Sequence, residues 1–67
     1  MPLSARNQLK GKVVGVKLGT VMSEVVVDIG GQEMVAAITR ASAEALALKK
    51  GNRVTVVVKS TDVMISK

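Results

Sequence analysis

Three features predict a small, mainly β barrel of five strands with one short helix between the third and fourth. Valine-rich runs recur along the chain, glycines punctuate them, and a single alanine- and leucine-rich segment follows the third run.

Residues 10–17 (KGKVVGVK) open the sheet. Gly11 and Gly15 interrupt this β-branched run, and glycine inside a strand marks a bend or a close approach to another backbone. Leu18, Gly19 and Thr20 then turn the chain into a second strand over residues 21–29 (VMSEVVVDI). Gly30 and Gly31 signal a hairpin, because tight reversals need positive φ. Residues 33–39 (EMVAAIT) return as the third strand. The segment 41–51 (ASAEALALKKG) consists largely of good helix formers. Glu44 lies near its start, Lys49 and Lys50 near its end and Gly51 just beyond, which predicts a short helix stopping at Gly51. Residues 53–59 (RVTVVVK) form the fourth strand, and the alternating Asp62-Val63-Met64-Ile65 a short fifth. This order matches an OB-type barrel. An SH3-like barrel with a helical insertion accommodates the same runs, since strand pairing is not written in the order of elements.

The 67 residues form one domain, 1–67, with no linker, repeat or low-complexity segment. A chain of this size buries only about 60% of the surface it exposes when unfolded. With no Cys for a disulfide and no His for a metal, association is the remaining route to added stability. Composition points the same way: 48% of residues are hydrophobic and none is aromatic, so the core is made of small aliphatic side chains. No apolar run is long enough to span a membrane, and residues 1–4 (MPLS) lack the features of a signal peptide, so a cytoplasmic protein is expected.

A net charge of +5 favours anionic partners. Nucleic acid is the second choice among them. Single-strand binding normally stacks bases on aromatic rings, which this chain lacks, and its basic residues are scattered singly or in pairs. Catalysis is not expected either. His and Cys are absent, and Glu24, Asp28, Glu33, Glu44 and Asp62 sit singly, without the spacing of an acid/base or metal site. Neither GxxxxGK[ST] nor GxGxxG occurs.

Three polar segments are candidates for holding an anion. Ser4, Ala5, Arg6, Asn7 and Gln8 place a hydroxyl, a guanidinium and two amides just ahead of a strand, and Arg is the strongest multi-donor contact for an oxyanion. The plainer reading is a solvated N-terminal arm. Lys59, Ser60, Thr61 and Asp62 interrupt two apolar runs, supplying a cation, short donors and backbone N–H groups where a simple turn would also serve. Thr39 to Ser42 lies at a strand-to-helix junction, where free N–H groups favour an anion, although Ser42 could simply cap the helix.

Together, residues 4–13 (SARNQLKGKV) and 56–65 (VVVKSTDVMI) resemble the Mop, or molbindin, family of molybdate-binding proteins, also called TOBE or Mop domains. Residues 38–51 (ITRASAEALALKKG) extend the resemblance through the middle of the chain, with more alanine than the family pattern and with Arg40 beside Thr39. The resemblance implies an OB-like barrel that binds molybdate or tungstate without transforming it, for storage, buffering or delivery. It also implies a homohexamer, a trimer of dimers, with oxyanions between subunits. Carried over by motif, Ser4, Arg6, Lys59 and Ser60 bind from one subunit while Ala5 and Asn7 shape the same loop. Thr39 and Ser42 complete the site from a neighbour.

Overall fold

The computed structural model describes residues 5–67. Four strands form one antiparallel sheet in the order β3-β2-β1-β4: β1 (Asn7–Leu18), β2 (Met22–Asp28), β3 (Glu33–Thr39) and β4 (Arg53–Val58). A short helix, α1 (Arg40–Ala45), links β3 to β4, and a 3₁₀ turn (Ser60–Asp62) follows β4. The sheet curls as expected of the OB-like class, and β1 is its axis. The first half of β1 pairs with β4, from Asn7 opposite Val58 to Lys12 opposite Arg53. Its second half pairs with β2, from Lys12 opposite Asp28 to Leu18 opposite Ser23.

That change of partner needs a bend in β1, and the glycines flank it. The register with β2 slips between Val13 and Gly15, leaving Val14 as the extra residue of a bulge, which increases local twist. Gly11 makes the close approach: a Cβ there would lie 2.5 Å from Val27 Cγ1 and 2.7 Å from the Asp28 carbonyl oxygen. Beyond β2, the hairpin forms at the two glycines. Gly30 and Gly31 have φ of 103° and 95°, and both N–H groups donate to Asp28 Oδ1, at 3.0 and 2.8 Å.

Val13, Val25, Val27 and Ala43 are buried, with Val16, Ile29, Ala36, Ile38, Leu48, Val54 and Val56 packed around the three valines. This aliphatic core lies within the curl of the sheet, and Ala43 of α1 is buried with it.

Two expectations are corrected. The helix ends at Ala45 rather than running to Gly51. Leu46 is its C-cap, and Ala47 adopts a left-handed φ of 50°. The Leu48 N–H then donates to the Ala43 carbonyl and the Ala47 N–H to the Glu44 carbonyl, the paired bonds of a Schellman motif. This early stop brings Leu48 back onto the core, where a longer helix would carry it past. Gly51, with φ of 98°, instead shapes the turn into β4, and its N–H donates to the Val13 carbonyl at 2.7 Å.

The second correction is the fifth strand, which is absent: residues 63–67 have no regular structure and Asp62 belongs to the 3₁₀ turn. A strand exists only by pairing, and the tail pairs with neither edge of the sheet, β3 or β4. Val63, Met64 and Ile65 are consequently exposed, the last two at 91% and 90%.

Candidate functional site

The antiparallel register of β1 and β4 joins the two terminal motifs. Asn7 stands opposite Val58, so Arg6 and Lys59 flank that pair on neighbouring chain segments at one end of the ladder. Ala5 and Ser60 lie one residue farther out on each side. β1 starts earlier than the hydrophobic run suggested, taking Asn7 and Gln8 into the strand. Arg6, Lys59 and Ser60 are exposed, while Ala5 and Asn7 are half-buried. Gln8 Nε2 donates to the Ala5 carbonyl at 3.0 Å, which ties down the backbone just before Arg6. Ser4 lies outside the described residues.

Lys59 is extended and precedes the 3₁₀ turn, in which the Asp62 N–H donates to the Lys59 carbonyl at 2.9 Å. Ser60 and Thr61 open that turn, and the first N–H groups of a helical turn have no acceptor inside it. The strand ends thus bring to one end of the ladder the residues that carry a guanidinium, an ammonium, a carboxamide and a hydroxyl, together with backbone donors. Such a set matches a small oxyanion, which offers only acceptors.

Thr39 and Ser42 are elsewhere. Thr39 ends β3 opposite Met22, the residue after the turn that follows β1. The 12-residue β1 therefore separates this pair from Asn7, by a span on the order of 30 Å at the usual rise per residue. Within one chain the two halves of the expected site do not meet.

Local geometry also reassigns the cap. Thr39, not Ser42, is the N-cap: its Oγ1 accepts from the Ser42 N–H at 3.1 Å. The Thr39 hydroxyl in turn donates to Ser42 Oγ at 2.8 Å, which leaves the Ser42 hydroxyl proton to donate outward. The supply of free N–H groups expected at this junction is reduced, since Arg40 N–H donates to the Val21 carbonyl at 2.7 Å. Arg40 itself is held within the chain, its Nε 3.4 Å from Glu44 Oε1 and its Nη1 donating to the Gly19 carbonyl at 3.3 Å.

The described residues contain no cluster of three or more acidic, His or Cys side chains able to hold a metal cation. No described helix is long and apolar enough to cross a membrane.

The model of the TOBE domain matches residues 3–65. The chain is 58% identical to molybdenum-pterin-binding protein 2 of Clostridium pasteurianum over 66 residues, 97% of each chain. Its structure superposes on that of a molybdate-binding protein from Sporomusa ovata with a TM-score of 0.96, covering all of both chains at 43% identity. It also superposes on ModG, described as a cytoplasmic molybdate-binding protein and solved with molybdate bound. That match has a TM-score of 0.85 and 43% identity, over 90% of this chain and 43% of ModG.

Proposed function

The chain belongs to the TOBE domain family and to its Mop members, and from that membership we propose that it binds molybdate, and tungstate with it, between the subunits of a homo-oligomer. One observation carries the reading. A tetrahedral oxyanion is held by several directed donors with positive charge, and the reading is supported by the β1/β4 register, which brings Arg6 and Asn7 to the same end of the ladder as Lys59 and Ser60, more than 50 residues away in sequence.

In the proposed mechanism Arg6 and Lys59 balance the dianion's charge. Ser60 and Asn7, with Ser4, replace its hydration by directed hydrogen bonds, and Ala5 leaves room for the anion against the backbone. Thr39 and Ser42 lie too far off to help in the same chain, so they act from a neighbour, the Ser42 hydroxyl donating outward. Sulfate has the same charge but is smaller, and leaves some donors unpaired at a cost of about 1–3 kcal/mol each. Binding involves no bond making or breaking, and storage, buffering or delivery in the cytoplasm is the role we assign.

Self-association is supported by the exposed Val63, Met64 and Ile65, a tail that pairs with no strand among the described residues. We take the assembly to be a hexamer, as a trimer of dimers, with the whole of 1–67 as one oxyanion-binding domain.

Equilibrium dialysis against molybdate with excess sulfate tests the reading. Retention of molybdate is expected in the parent, with Arg6→Ala and Lys59→Ala each weakening it at least tenfold, as loss of a charge-assisted contact worth about 1.5–3 kcal/mol implies. Undiminished binding by both variants would remove the site assignment.

A further inference from the structure

At the opposite end of the β1/β4 ladder from Arg6 lies a cleft of about 540 Å³, lined by Lys10, Lys12, Asp28, Gly30, Arg53 and Thr55 together with Gly11 and Val54. Lys12 stands directly opposite Arg53, and Lys10 opposite Thr55. Residues two apart on a strand share a face, so three cations present themselves to one surface. Like charges directly opposed across strands destabilise a sheet. No salt bridge relieves this opposition: among the described residues the only ion pair is Arg40 with Glu44. Asp28 is opposite Lys12 on the β2 side, but its Oδ1 is occupied by the N–H groups of Gly30 and Gly31, and its Oδ2 has no hydrogen bond among the described residues.

The size of the cleft bears on its ligand. A bare tetrahedral oxyanion takes on the order of 100 Å³ if each oxygen occupies a water's share of about 30 Å³, and would leave most of the space to solvent. The volume falls instead within the roughly 300–1,000 Å³ of pockets for organic ligands.

We propose that this cleft is a second anion site, which takes a phosphorylated organic molecule of mononucleotide size. Its phosphate lies among Lys10, Lys12 and Arg53, relieving their mutual repulsion, and an N–H or O–H donor of its organic part bonds Asp28 Oδ2. A single-stranded nucleic acid is the less suitable occupant, since the chain has no aromatic ring on which bases stack.

Calorimetric titration of the assembled full-length protein at low salt tests this, with guanosine monophosphate, inorganic phosphate and a single-stranded oligonucleotide as probes. The expected result is saturable binding of the nucleotide at least tenfold tighter than phosphate. Lys12→Gln and Arg53→Gln should each weaken it about tenfold, without lowering the low-salt melting temperature, because each also removes a like-charge opposition. Lys12→Arg, which keeps the charge, should retain binding. The proposal is overturned by nucleotide binding no tighter than phosphate, by binding indifferent to both neutral variants, or by oligonucleotide affinity that climbs with length. Molybdate uptake, read in parallel, bears only on the Arg6 and Lys59 site and should be unchanged in the Gln variants.

Discussion

Single residues decide where this sheet can bend. Gly11 has no bulk to spare: the atoms that a Cβ would meet include the Asp28 carbonyl oxygen, which belongs to a paired strand and cannot swing aside as a side-chain tip could. Gly11→Ala is expected to cost about 2 kcal/mol, within the range for overpacking a tight core, and a urea unfolding curve at fixed protein concentration reads it directly. Gly15 is a different case, with nothing within 4 Å of its virtual Cβ, so its place in β1 reflects the bulge rather than a close contact. Ser23 shows the reverse economy. It is 3% exposed and its hydroxyl has no hydrogen-bond partner among the described residues, a buried polar group kept at a cost in desolvation.

At the level of elements, the helix is the part most dependent on its ends. Six residues are too few for α1 to persist by propensity. It is held by the Thr39 cap, the burial of Ala43 and the Schellman bonds after Ala45. The Arg40–Glu44 pair adds little, being exposed at both ends and in the weaker orientation for a helix. Ala47 occupies the left-handed position that glycine usually takes. Ala47→Gly should therefore stabilise the protein by roughly 0.5–1 kcal/mol, the relief of left-handed strain exceeding the added freedom of the unfolded chain. A higher melting temperature with unchanged molybdate uptake is the expected observation. A fall in stability would mean that the Ala47 side chain has a packing role.

For the whole molecule, the decisive property is incompleteness. Among the described residues, four buried hydrophobic side chains make a thin core, and a sheet with two edges leaves an apolar tail unpaired. Under the proposed self-association, folding of the single chain and assembly of copies are linked, since whatever covers the tail also stabilises the fold by mass action. Under the proposed assembly, Met64→Lys together with Ile65→Lys should shift native mass spectra toward smaller species and make the melting temperature more dependent on protein concentration. An oligomer unchanged by both charges would place the interface elsewhere.

The class of fold, the first four strands and the hairpin at Gly30-Gly31 were legible in the sequence because each rests on local chemistry: β-branched runs, and glycine where φ is positive. The two terminal motifs were legible as polar interruptions of apolar runs, and their resemblance to the Mop family named them as partners. Only the tertiary structure decided that they meet, because the β1/β4 register sets Asn7 against Val58, a pairing of distant segments that no local pattern encodes. The same register gathered Lys10, Lys12 and Arg53, which look scattered along the chain. The helix stop and the missing fifth strand were likewise beyond local reading. Leu48 turns back because the core lies there, and residues 62–65 carry strand-like alternation without an edge to complete it, for a strand is a relation between segments and not a property of one.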